Sequence, residues 1–458
     1  MSESSENWSV VVRSQERVLA GLERGECDGI LGDEWLEPDD LVQSALDEGF
    51  LDWFEDFPDR RRRRSIDKRL FCRVLLCGRL VDLPSVAETG RVIFHATTLL
   101  DKLGFNFRVM REGGSRTGDE RPFDEEALED YFAKLTAEDY FSHQLTLSRR
   151  LLARPELAGK VWLLDCRDTK VPNGHHQEGR HWKAGVLSVC GKAGPHPVLW
   201  NFGLAPQTAD LVLARSLVKA ALEAWGQGAI RWLILDAGFV DGPWLHKLKG
   251  RSVDCIIRIK QGMDNYEAAV RAAKRGPEPA WQRVALPKRP KGSKLPLRRE
   301  ILGLADQPGW ETLELAVAVC VVRDTYADKV EYWVLVSTAP EQSAAEIYAL
   351  FGRRWGIEES FMALARYHGL NELYACRDGL ALALIHFSLL TYTLRYVCRT
   401  KRAERTQRPR TKYLVVYRAG YYALLYASQV LEKIFNHWPA WEGRREEVLE
   451  ALRYCEGR

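Results

Sequence analysis

No two of the ten cysteines form a C-x-x-C pair. Pairs at that spacing build zinc sites and thiol redox centres, so neither is indicated. Several cysteines sit inside apolar runs, where the side chain acts as a small hydrophobe. This usage fits a reducing cytoplasm and not a disulfide scaffold. No apolar run of about 18 residues is apparent, so no membrane-spanning helix is expected. The first residues, Met1-Ser-Glu-Ser-Ser-Glu6, are acidic. They lack the basic and apolar regions of a secretory signal. No internal repeat is present, and no helix-turn-helix signature is clear enough to assign.

Net charge is also small, +3 over 458 residues, but it is unevenly spread. Residues 1–59 hold 3 Arg and 17 Asp or Glu, a net of −14. The remaining 63 basic and 46 acidic side chains leave residues 60–458 at +17. An acidic head on a basic body points to a polyanionic partner for the body, although a solvated basic face has the same composition. Apolar content of 46% and charged content of 28% are those of an ordinary globular protein with ample core material. The length is that of two or three units.

Residues 1–105 read as a helical region and a candidate DNA-binding unit. It includes the run Arg60 to Arg64, which could grip phosphates or balance the acidic head. Residues 106–159 read as a polar linker followed by helices. Thr136-Ala-Glu-Asp139 marks one helix start. From residue 160 the pattern becomes α/β. Strands are expected at Val161–Leu164, Ala184–Cys190 and Pro197–Phe202, in an antiparallel meander, then at Arg231–Leu235 and Val253–Lys260. A helix is expected at Asp210–Trp225. Residues 261–330 break this rhythm with a basic, proline-rich loop and further strands. One helix is expected from near Gln342 past Glu358, and an apolar helix over 380–398. Residues 401–458 read as basic and helical.

Two acidic residues each follow an apolar strand, Asp165 after Val161–Leu164 and Asp236 after Arg231–Leu235. The ends of strands in α/β sheets open onto the functional crevice. A carboxylate there can hold a hard cation such as Mg²⁺. A turn-forming Asp is also common at such ends. Glu358 is a third candidate, one helical turn after Arg354, and that pair alone could be a surface ion pair. Three carboxylates could hold two ions about 3.5–4 Å apart and clamp both oxygens of a phosphoryl displacement. Asp168 is the alternative to Asp165. His175, His176 and His181 lack the spacing of a zinc site and read as a polar loop beside the crevice.

The order Asp165, Leu233-Ile-Leu-Asp236-Ala-Gly-Phe239, a β-rich insertion, then Arg354-Trp355-x-Ile357-Glu358-x-x-Phe361 resembles the DDE insertion-sequence transposases. The similarity is to the cut-and-paste group and covers residues 160–400. It implies an α/β fold: an RNase H-like catalytic core with a β-strand insertion at 261–330, flanked by N-terminal and C-terminal helical regions. It also implies catalytic, metal-binding roles for Asp165, Asp236 and Glu358, with Mg²⁺ or Mn²⁺ as cofactor. The expected partners are inverted-repeat element ends and target DNA, bridged by a homodimer. Arg354, Arg366, Lys288, Arg289 and Lys291 would contact DNA. The group carries a Tyr-x2-Arg-x3-Glu-x6-Lys signature. Here Phe351 and Ala365 stand in the Tyr and Lys places, with Arg366 adjacent. The Asp-x-Thr pattern of the group is matched by Asp168-Thr169, while the apolar strand points at Asp165. Relatives use an aromatic of the insertion to hold a flipped base, which makes Trp281, Trp310 and Trp333 candidates.

The function implied is metal-dependent DNA cleavage and strand transfer. An inactive, DNA-binding relative is the alternative, favoured by Phe351 and Ala365. A glycosidase would also use paired acids, but the basic balance of the body opposes it.

Overall fold

The computed structural model describes residues 8–12, 23–24, 29–32, 42, 45, 47–62, 66–80, 82–93, 103, 125–172, 180–191, 194–286, 295–308, 310, 312–367, 369–404 and 414–418. They fall in two compact units, Met1–Lys134 with Leu394–Arg458, and Leu135–Thr393.

The first unit contains strands β1 (Trp8–Val12) and β2 (Gly29–Gly32) and helices α1 (Lys68–Leu80), α2 (Val86–Ile93) and α3 (Glu125–Ala133). The apolar residues Leu70, Phe71, Val74 and Leu75 of α1 are buried. The rings of Phe71 and Tyr131 stack at 5.0 Å. Arg61 of the arginine run is folded in here: it pairs with Asp59 at 2.8 Å and lies 4.8 Å from the Phe71 ring. Arg63 and Arg64 lie outside the described residues.

The second unit begins with α4 (Ala137–Leu152), closed by the Thr136–Asp139 capping box that its sequence signals. A nine-stranded sheet follows. Its first part consists of β3 (Val161–Val171), β4 (Arg180–Gly191), β5 (Gly194–Leu204), β6 (Trp232–Leu235) and β7 (Asp254–Ile259). Helices α5 (Asp210–Trp225) and α6 (Gly242–Gly250) alternate with the later strands. The strands run in the order β5-β4-β3-β6-β7. The β3–β4–β5 meander is antiparallel, and β3, β6 and β7 are parallel. This is an RNase H-like core. Its middle strands are apolar runs because helices cover both faces of a parallel sheet.

After α7 (Asp264–Arg275), strands β8 (Gln282–Val284), β9 (Arg298–Pro308), β10 (Ala316–Thr325) and β11 (Val330–Ser337) extend the same sheet. The order continues β7-β11-β10-β9-β8, antiparallel throughout. The insertion is therefore the continuation of the central sheet. Helices α8 (Ala344–Gly352), α9 (Trp355–Tyr367) and α10 (Asp378–Glu404) complete the order. Strand β12 (Leu414–Arg418), in the first unit, lies between β1 and β2. The N-terminal region thus holds two strands as well as helices, and Leu414–Arg418 is a strand where the sequence predicts helix; residues 419–458 lie outside the described residues.

Three local readings change. The strand expected to end at Leu164 continues to Val171. Beyond Leu164 it leaves β6 but keeps its ladder with β4 as far as the Val171–Arg180 pair. The single helix expected across 342–358 breaks after Gly352. Amides of Arg353, Arg354, Gly356 and Ile357 bond carbonyls three residues back, a tight turn between α8 and α9. Phe351 and Glu358 therefore sit on different helices. Helix α10 includes a 20-residue stretch, Asp378–Val397, long and apolar enough by composition to cross a membrane. Of its most apolar window 83% is buried, as in a core helix.

Candidate active site

The register of the parallel strands builds the site. Val161 to Leu164 lie opposite Trp232 to Leu235, ending with the Leu164–Leu235 pair. The next residues on the two chains are Asp165 and Asp236. Two carboxylates are thus set side by side where β6 ends and the chain turns away through Ala237–Phe239. Glu358 arrives from the first turn of α9, which packs across β5 and β3.

Asp165 is partly buried, and its carboxyl is pushed up to about 6. Burial is the main cause, and the Asp236 and Glu358 charges add to it. The Cys166 amide, donating to Oδ1 at 2.8 Å, and the Arg354 charge oppose it. Asp236, Glu358 and Arg354 therefore each lie within electrostatic reach of Asp165. Arg354 Nη2 donates to Glu358 Oε1 at 2.6 Å. Its guanidinium lies 5.7 Å from the Phe351 ring, which is buried and also meets the ring of Trp333 at 6.1 Å.

Asp168 is placed elsewhere. Residues three apart on a strand face opposite sides of the sheet. Asp168 is exposed and lies 3.7 Å from Lys183, which also pairs with Asp210 at 2.5 Å. Among the described residues no three His, Cys, Asp or Glu side chains are close enough together to enclose an ion.

The expected DNA contacts are only partly described. Arg354 is in the site. Arg366 is on α9, with its side chain outside the described residues, as are Lys288, Arg289 and Lys291. His175 and His176 also lie outside them, and His181 is exposed on β4. Two insertion tryptophans are covered by arginines. Arg323 lies 4.2 Å from the Trp281 ring and Arg299 5.2 Å from that of Trp333. The exposed aromatic near the carboxylates is Trp355, next to Arg354 and 58% accessible.

A family described as Transposase DDE domain matches residues 160–394, which is 235 of 458. The chain belongs to the DDE transposases. Its fold is also similar to a cryo-EM structure of a piggyBac transposase synaptic complex with hairpin DNA. That likeness has 12% identity and a TM-score of 0.36, over 89% of this chain and 80% of the other. No curated protein sequence matches.

Two residues of this DDE transposase carry the site without having been singled out in the sequence. Gly356, in the first turn of α9, would place a Cβ 2.5 Å from Pro195 Cγ, so only glycine lets the helix approach β5 this closely. A glycine inside a helical pattern is a readable signal of such an approach. Arg167 on β3 donates to the Phe361 carbonyl at 3.1 Å and to Asn371 Oδ1 at 3.2 Å. Its partners are about 200 residues away, so no local pattern reveals it.

Proposed function

We propose that this transposase cuts DNA at the ends of a mobile element and joins the freed 3′ end to target DNA, using Asp165, Asp236 and Glu358. The observation that carries the reading is the Leu164–Leu235 register, which places two aspartates side by side within electrostatic reach of a helix glutamate.

The donor chemistry suits a divalent cation. All three groups are hard oxygen ligands, and the Asp165 carboxyl is raised first by burial, with the Asp236 and Glu358 charges adding to it. Mg²⁺ is commonly held by one or two carboxylates, waters and substrate phosphates, with no all-protein cage. Asp165 and Asp236 would be the paired ligands, and Glu358 the third. When bound, such an ion acts as a Lewis acid on phosphoryl oxygen and makes water a better nucleophile. Arg354 holds Glu358 in place and offers its remaining donors to a phosphate. Partial burial around Asp165 lowers the local dielectric and strengthens each of these contacts. Two copies would bridge two element ends.

Asp236→Asn and Glu358→Gln are expected to abolish Mg²⁺-dependent cleavage and strand transfer on DNA carrying the element ends, with DNA binding retained. Full strand transfer by both variants would refute the assignment. A second reading, a DNA-binding relative without catalysis, draws on Phe351 and Ala365 in the signature places. It predicts that the unaltered protein binds those ends but cuts in neither Mg²⁺ nor Mn²⁺.

A further inference from the structure

The carboxylates come from two strands and one helix, so their geometry depends on how α9 lies across the sheet. Its apolar residues Ile357, Phe361 and Leu364 are buried and fix which face points inward. They do not by themselves fix the helix's angle, because an apolar stripe can pivot over a sheet. Specific contacts are found at two places. On β5, Gly356 abuts Pro195, and Ser360 Oγ donates to the Pro195 carbonyl at 3.3 Å. On β3, two strands away in the order β5-β4-β3, Arg167 reaches the helix and the turn after it.

Arg167 is suited to bracing by its surroundings. It lies two residues from Asp165 and so on the same face of β3. It is half-buried, and burial lowers its pKa. It makes no ion pair among the described residues, and its Nε is buried without a partner. Its two hydrogen bonds go to a backbone carbonyl and a side-chain amide, and its guanidinium lies 5.7 Å from the Phe361 ring. Phe361 is one turn beyond Glu358. A planar fork can hold both acceptors and the ring at once, whereas an ammonium cannot. If Asp165 is the first metal carboxylate, Arg167 also stands where the family's Asp-x-Thr pattern has its Thr, so this brace belongs to the present chain.

We infer that Arg167 is a positioning residue: it sets the Glu358 helix against the Asp165 strand and thereby completes the carboxylate site. The inference rests on the proposed roles of Asp165, Asp236 and Glu358.

The test is Mn²⁺ titration of the full chain, with free Mn²⁺ followed by electron paramagnetic resonance and folding followed by thermal unfolding. Loss of an outer-shell support typically weakens metal binding about 10- to 100-fold. Arg167→Met is expected to weaken Mn²⁺ binding at least about tenfold. Arg167→Lys should recover part of the loss, and Asn371→Ala should weaken binding less than Arg167→Met does. The double variant Arg167→Met with Asn371→Ala should be no weaker than Arg167→Met alone, since both act through one brace. If Arg167→Met does not fold, Arg167→Lys and Asn371→Ala carry the test. Unchanged Mn²⁺ affinity in the folded variants, beside lost binding in Asp236→Asn and Glu358→Gln, overturns the brace alone. Unchanged binding in those carboxylate variants overturns the reading beneath it as well.

Discussion

Two regions of the central sheet treat buried charge in opposite ways. At the insertion edge, cross-strand register sets two acids opposite arginines. Arg323 lies opposite Glu300 and Asp324 opposite Arg299. Arg299 grips Asp324 through two bonds of 2.6 and 2.7 Å. Arg323 grips Glu278 through two of 2.8 and 2.9 Å and reaches Glu300 at 2.8 Å. The Arg323 pKa is accordingly raised, first by its bond to Glu278. Burial alone would lower that of Arg299, but the bonds to Asp324 and Tyr348 and the charge of Asp324 together outweigh it. Where β3 and β6 meet, Asp165 is pushed upward, first by burial and then by the Asp236 and Glu358 charges, against the pull of Arg354. Neutralised charge fastens strands together. Under the proposed function, the carboxylates beside β3 and β6 make a place for a cation. Arg298 joins the fastening as well: it pairs with Glu300 at 3.2 Å.

The largest test of this contrast is to unbalance the quiet end. Arg323→Met would leave Glu300, 8% exposed, with only the half-exposed Arg298 for company. Removing one partner of a buried pair costs about 3–5 kcal/mol, and the remaining Arg298 should hold the loss to about 3 kcal/mol. Urea unfolding would measure it. Cleavage per folded molecule should not change. A drop in cleavage with little change in stability would place the edge within the catalytic machinery and end the contrast.

A smaller effect is expected where packing, not pairing, holds the imbalance in place. Gly356→Ala drives a methyl against the rigid Pro195 ring, 2.5 Å from Cγ and 2.6 Å from Cδ. Overpacking of this kind costs about 1–3 kcal/mol. Helix α9 must shift, and cleavage should fall more than stability does. Equal cleavage by this variant would show that Glu358 tolerates movement of its helix.

These features differ in how far the sequence discloses them. Alternation and apolar runs reveal the strands of the core because each run is covered on both faces, and Thr136 and Asp139 reveal their cap. Asp165 and Asp236 are legible as strand followers. Their adjacency is not, since it comes from a parallel register between segments about 70 residues apart. The break between α8 and α9 is hidden because Arg354 and Glu358 keep an i, i+4 bond on either reading. The charge pairs of the insertion are hidden for a similar reason: composition counts Arg298, Arg299 and Arg323 as basic, and only register shows them neutralised. Phe351 looks like a lost Tyr in sequence. In the structure it is a buried ring beneath Arg354 that meets Trp333.

The smallest expected effect comes from the partial burial of Asp165 beside the other two carboxylates. The Asp165 carboxyl stands at about 6, against an ordinary 3.8. The folded protein therefore holds this proton more tightly than the unfolded chain does. The group's contribution to stability is greatest below about pH 4 and is lost as pH rises through about 6. At about 1.36 kcal/mol per pH unit the full shift is worth about 3 kcal/mol, and partial solvent access reduces it to about 1–2 kcal/mol. Asp165→Asn keeps the shape, and its oxygen can still accept from the Cys166 amide. It should be more stable than the unaltered protein by about 1–2 kcal/mol near pH 7.5, and no more stable near pH 4, while failing to cleave. Urea unfolding at the two pH values decides it. A variant less stable at both would mean that Asp165 is neutralised as fully as Asp324 is, and that the two regions of the sheet do not differ.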